Sequence, residues 1–130
     1  MIDRESIMNG EMKDCDSFLA DLEGTLGILF ELAHDNDMRG YIYAFWMINY
    51  VREKDAKKLL QLLDFASLIT FIFLNCFDGM IQMSYVHAKE AILLDNDNKK
   101  RKKEFLIQFS DHPDVEHDRE FENKVAKEIE

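Results

Sequence analysis

Proline is nearly missing from this 130-residue sequence, occurring once, and glycine occurs five times. A β-sandwich or barrel needs turn residues every ~8–12 positions, and these two are its commonest turn formers. Their scarcity excludes such a fold and leaves an all-α one. Cysteine is just as rare. Cys15 and Cys76 form no CxxC pair, and nothing over residues 1–16 resembles a signal peptide. Both are expected to be free thiols in a reducing, cytoplasmic setting.

The signatures of chemistry are also lacking. Gly24 and Gly27 fit neither a GxGxxG turn nor a phosphate-binding loop. Asp95 and Asp97 occupy the first and third places of a calcium loop. However, Lys99, Lys100 and Leu106 stand at the fifth, sixth and twelfth, where an acidic or polar ligand, glycine and glutamate are needed. His112 and His117 lie among Asp111, Asp114, Glu116 and Asp118, but their spacing matches no zinc or iron signature and the segment reads as a polar loop. His87, in the tetrapeptide His87-Ala88-Lys89-Glu90, is a lone helical histidine and reads as structural. No enzyme activity, metal or cofactor is expected.

Positive charge is in short supply. Lys and Arg number 16 against 26 Asp and Glu, a formal net charge of −10. The imbalance sits at the ends. Residues 1–37 carry ten acids and two bases, and residues 111–130 eight acids and three bases. Such a field repels nucleic acid and anionic membranes and attracts basic proteins. The one basic cluster, Lys99 to Lys103, starts a helix. There the dipole disfavours positive charge, so pairing with acids of the same molecule is expected.

What is present is hydrophobic: 47% of residues are apolar. The longest such run is Leu59–Phe77. It approaches the ~20 residues of a membrane span, but Asp64 lies inside it. It is read as the buried central helix of a bundle, Ala56 to about Phe77, capped by Asp55 and wet along Lys57, Gln61, Asp64 and Asn75, a stripe interrupted by Leu68. Cys76 is expected inside it as a small hydrophobe.

Before it, a first helix is expected from Asp14 or Asp16 to about His34. Phe18, Leu22, Leu26, Leu29 and Ala33 form its apolar stripe, widened by Leu19 and Phe30. Its other face carries Ala20, Gly24 and Gly27, small enough for close approach by another helix. Asp35-Asn36-Asp37 then breaks the pattern. A second helix follows, Met38 to Glu53, apolar all round and rich in Tyr, Phe and Trp.

After the central helix, Asp78-Gly79 is a break. A fourth helix is expected from Met80 to Leu94, with Ile81, Met83, Tyr85, Val86, Ala88, Ile92 and Leu93 in the core. Asp95 to Asn98 is a loop, and a helix follows from Lys99 to Phe109. A last helical segment, from about Asp118, docks by Phe121, Val125 and Ile129 or frays.

The chain is therefore expected to form one domain over residues 1–130. It should be a compact bundle of five or six helices, with residues 1–13 and 111–130 as its mobile parts. The functional expectation is a small acidic binding protein that occupies a basic partner surface, in the manner of an immunity protein, an antitoxin or an inhibitor mimicking nucleic acid. The partner-binding residues expected are Asp14, Asp16, Asp21, Glu23, Glu31, Asp35 and Asp37. The alternative is a homodimeric structural or regulatory module packed through the apolar helices.

Overall fold

A computed structural model of the chain describes residues 4–9 and 14–130. Of the amino-terminal stretch expected to be mobile, residues 1–3 and 10–13 lie outside the described residues. The described residues are all-helical, as the composition implied. Their helices are α1 (Arg4–Met8), α2 (Cys15–Ala20), α3 (Leu22–His34), α4 (Arg39–Val51), α5 (Ala56–Ile72), α6 (Met80–Leu94), α7 (Lys99–Phe109) and α8 (Arg119–Glu128). No helix among them is long and apolar enough to cross a membrane.

Side-chain caps set the starts of α5, α7 and α8. Asp55 accepts from the backbone N–H of Lys58 at 3.1 Å, Asn98 from that of Arg101 at 3.0 Å, and Asp118 from that of Phe121 at 3.1 Å. Each occupies a donor that has no partner within its own helix. The break before α6 is made by Gly79, whose φ of 83° is left-handed.

Two expected elements are altered. The single helix over 14–34 is divided at Asp21, which leaves helical geometry with φ −122° and ψ 60°. The Thr25 hydroxyl donates to the carbonyl of Phe18 at 3.1 Å across the joint. With the short α1, this division brings the count to eight helices rather than five or six. The central helix also stops at Ile72 rather than Phe77. The Thr70 hydroxyl bonds back to the Ala66 carbonyl at 2.7 Å, and the N–H groups of Phe73 and Leu74 both reach the Ile69 carbonyl at 3.0 Å. The i→i−5 bond from Leu74 ends the helix, with Leu74 turned inward and Cys76 exposed rather than buried.

The core has two lobes. The larger joins α2, α3, α4 and α5 around Phe18, Leu29, Tyr43, Met47, Leu62 and Ile69, and Ile7 of α1 closes its end. The smaller gathers Tyr85, Ile92, Phe105, Phe109, Val115, Phe121 and Val125 from α6, α7, α8 and the loop before α8. α5 and α6 pack closely along their small residues. Ser67 Oγ donates to the Ser84 carbonyl at 3.0 Å, and Ser84 Oγ donates to the Ser67 carbonyl at 2.7 Å. Because α6 spends its inward faces on Ser84, Tyr85, His87, Ala91 and Ile92, Val86 and Leu93 turn outward instead of joining the core. Phe30 is likewise exposed.

The small-residue face of α3 does not receive a helix. A Cβ at Gly24 would meet the Asp21 carboxylate, and one at Gly27 would meet nothing within 4 Å. The close helix contact lies at Gly40 in α4. A Cβ there would sit 2.6 Å from the Leu29 carbonyl oxygen and 3.1 Å from the Ala33 nitrogen, both on α3.

Candidate functional site

The seven acids expected to bind a partner lie along the α2–α3 edge in two groups. Asp14 and Asp16 sit at the carboxyl-terminal end of α4. Asp14 caps α2, accepting from the Asp16 N–H and the Ser17 hydroxyl at 3.0 Å each. Asp16 accepts from the Tyr50 hydroxyl at 2.8 Å, which raises the Tyr50 pKa. Glu31, Asp35 and Asp37 sit at the other end of α4. Arg4 reaches Glu31 and Asp35 at 3.3 Å each. Asp37 takes the Arg39 guanidinium through both oxygens, at 3.0 Å from Nε and 2.6 Å from Nη2. These hydrogen bonds hold the Asp37 carboxyl below the ordinary range. Arg39 also donates to the Met8 carbonyl at 2.8 Å, tying α1 down.

Tyr50 follows Arg39 by eleven residues of α4, so the two groups stand ~17 Å apart along the edge. Asp21 and Glu23 lie at the start of α3. Asp21 folds over Gly24, and Glu23 is exposed in the first turn, where the dipole favours a carboxylate. Asp14, Asp21 and Asp37 are thus engaged in shaping the backbone. Asp16, Glu23, Glu31 and Asp35 present their charge outward.

His87 and His117 are engaged in packing and hydrogen bonds, whereas His34 is exposed. His87 is 2% exposed, and its Nε2 lies 2.8 Å from the Tyr41 hydroxyl. Phe45 covers the ring, and Nδ1 has no hydrogen-bond partner. Burial, with help from the Arg52 charge, lowers the His87 pKa to about 4. His117 is spanned by two acceptors, with Nδ1 2.7 Å from Glu122 Oε2 and Nε2 2.8 Å from the His112 carbonyl. Among the described residues no group of three His, Cys, Asp or Glu side chains is arranged to hold a metal. Cys15 is buried, and burial next to Asp16 and Asp14 pushes its thiol up to about 11, so little thiolate forms near neutral pH.

Glu122 was not distinguished by sequence, and it organises the smaller lobe. It is 4% exposed, accepts from the Tyr85 hydroxyl at 2.7 Å and from Arg119 at 2.9 Å, and faces His117. The Tyr85 pKa is pushed up to about 12, chiefly by burial and then by this bond. Glu122→Gln places an amide N–H₂ where two donors converge, and is expected to lower stability by about 1–2 kcal/mol. An unchanged urea midpoint would contradict that reading.

A groove of about 830 Å³ lies between α5 and α7. Phe71, Ala88, Phe105 and Phe109 form its apolar floor. Its lips carry Leu68, Ile72 and Ile107, which are 44%, 51% and 86% exposed. At one end Asp64 pairs with Arg101, which also approaches Asp95 at 3.5 Å. Asp64 is therefore water-facing but paired. At the other end Phe71 meets Phe109 with ring centroids 5.6 Å apart. The basic cluster is internally compensated in part: besides Arg101, buried Lys102 reaches Glu128 of α8 at 3.4 Å. In sequence the groove left two traces, Leu68 interrupting the wet stripe of α5 and a basic-then-apolar α7. Neither shows that α5 and α7 stand apart. Compared with family models, with curated proteins and with solved structures, the chain matches none.

Proposed function

We propose that this is a non-catalytic binding protein whose α2–α3 edge occupies a basic surface of another protein, as immunity proteins, antitoxins and nucleic-acid-mimicking inhibitors do. One observation carries the reading. From Asp14 to Asp37 the chain holds seven carboxylates and no lysine or arginine. Among the described residues only Arg4 and Arg39 pair with them from outside that stretch or at its margin, which leaves a formal surplus of five negative charges. Spread over an edge at least ~17 Å long, that surplus would steer a basic partner and fix its orientation. The two buried or half-buried histidines support a non-catalytic reading, since His87 meets the Tyr41 hydroxyl through Nε2 and His117 meets acceptors at both ring nitrogens.

The test compares the native protein with a variant in which Asp16, Glu23, Glu31 and Asp35 are neutralised to Asn or Gln. A basic protein captured from the native lysate should be retained by the first and lost by the second. Its association rate should fall roughly tenfold between about 50 and about 300 mM salt. Capture that ignores the neutralisation, or a rate independent of salt, would end the proposal.

A second reading, a homodimer, is favoured by the outer face of α4 and α6. Ile42, Phe45 and Val86 are exposed there around the cover of His87. Light scattering that returns a strict monomer across micromolar concentrations would rule out an obligate dimer.

A further inference from the structure

We propose that His117 is a proton-controlled latch on residues 110–118, the strap that joins α7 to α8 and closes the smaller lobe. The strap is fastened while both ring nitrogens of His117 carry a proton, and it loosens when rising pH removes one of them.

The surroundings of the ring carry this. Nε2 lies 2.8 Å from the His112 carbonyl oxygen, and Nδ1 lies 2.7 Å from Glu122 Oε2. A carbonyl only accepts, so Nε2 must bring the hydrogen. The Glu122 carboxylate is equally confined to accepting. Its Oε2 takes the hydrogen of the Tyr85 hydroxyl at 2.7 Å, and that hydroxyl oxygen in turn takes the Asp118 N–H at 3.0 Å. Its Oε1 takes Arg119 Nη1 at 2.9 Å. With both oxygens already receiving, Nδ1 must donate as well. A neutral imidazole has one N–H and an imidazolium has two. Loss of either proton sets lone pair against lone pair at a short contact. The side chains are 12% and 5% exposed, so little water can intervene.

The bridge fastens a segment with few other ties. Val115 lies in the smaller lobe with Phe105, Phe109 and Phe121. The His112 N–H reaches the Phe109 carbonyl at 3.0 Å, and the Glu116 N–H reaches Gln82 Oε1 of α6 at 2.6 Å. His117 closes the strap on itself through His112 and holds it to α8 through Glu122.

The charges around the ring are matched. From α6 come Tyr85, whose ring lies edge-on to His117, and Lys89, which is paired with Asp118. From α8 come Glu122 and Arg119, which are paired with each other. Asp111, Asp114 and Glu116 of the strap are exposed. His112 acts in the opposite sense, since its Nδ1 accepts from the Asp114 N–H at 3.2 Å and must be unprotonated to do so. The fastened strap binds the His117 proton and the open strap releases it. The latch therefore holds at low pH and is lost as the pH rises.

The test follows the nitrogen-15-labelled native protein by nuclear magnetic resonance from about pH 5 to about pH 9, a span that brackets histidine titration. At the lower end both ring nitrogens of His117 should carry a directly bonded proton. As the pH rises, the exchange protection of the Glu116 amide, corrected for its intrinsic pH dependence, should fall at least about tenfold. It should level off where the ring has lost its proton, because linkage ends there. His112→Asn removes the second imidazole, keeps the backbone carbonyl, and should leave this pattern in place. His117→Gln presents a single donor nitrogen and cannot span both acceptors, so its Glu116 protection should be low and flat. A single N–H on His117 at the lower end would overturn the proposal. So would native protection that is flat or that keeps falling after the ring has titrated, a pattern that vanishes in His112→Asn, or a native profile in His117→Gln. Should His117→Gln fail to fold, the comparison of ring and amide in the native protein decides by itself.

Discussion

Gly40→Ala should unfold this protein about 10 °C earlier than the native chain. The added methyl would lie 2.6 Å from the Leu29 carbonyl oxygen and 3.1 Å from the Ala33 nitrogen. Both are backbone atoms inside α3, so no rotamer change relieves the clash, and α4 must move away from α3 as a body. Overpacking a rigid contact costs about 1–3 kcal/mol and more where backbone must shift, so about 3 kcal/mol is expected. For a chain of this size that is roughly 10 °C in the unfolding midpoint. Gly27→Ala is the matched comparison. Its methyl meets nothing within 4 Å, and alanine is better than glycine in a helix interior by about 0.5–1 kcal/mol. It should raise the midpoint by a few degrees. Thermal unfolding followed by circular dichroism decides both; a Gly40→Ala midpoint within a degree of native would refute the close-contact argument.

The glycine pair illustrates what a single sequence reveals. Gly24 and Gly27 attract attention because they share a helix face, whereas Gly40 stands alone at the start of α4, and only the approach of α3 gives it meaning. Local signals were readable. Asp55, Asn98 and Asp118 cap helices through bonds to residues three positions on, so the starts of α5, α7 and α8 follow from short-range chemistry. The division at Asp21 was hidden because the spacing of Phe18, Leu22 and Leu26 continues across it, and the bend keeps those side chains inward.

Hydropathy also misjudged sides. Ser84 and His87 are buried while Val86 and Leu93 are exposed, since α6 meets α4, α5 and the smaller lobe on three sides and polar partners wait at two of them. Leu59–Phe77 is central, as its hydropathy implies, but its end depends on Thr70 and on where Leu74 finds space. As for the acids, sequence supplied their number and sign. It did not show that some cap and brace the backbone and that the others form two groups along one edge.

The second large effect is one of pH. Lowering the pH from 7 to 4 should remove about 3 kcal/mol of stability through His87 alone. In the unfolded chain this side chain titrates near its ordinary 6.5, while in the fold burial and the Arg52 charge hold it at about 4. The unfolded state therefore binds more protons between those values, so stability rises with pH across the window. The contribution is complete above about 6.5 and is lost as the pH falls towards 4, at up to ~1.4 kcal/mol per unit for one proton. Nothing nearby offsets it. The ring faces the Tyr41 hydroxyl and Phe45, Nδ1 has no partner, and Glu90, three residues on in α6, is engaged by Arg52. Asp37 and Asp118 are held below their ordinary 3.8 by Arg39 and Lys89. Their contributions persist above 3.8 and fade only in stronger acid, outside the His87 window. Urea unfolding of the native protein and of His87→Gln at half-unit steps from pH 7 to 4.5 separates the two effects. The variant starts less stable, having lost the fitted ring, but its stability should change far less over that range. Parallel slopes for the two proteins would place the acid sensitivity elsewhere than in this buried imidazole.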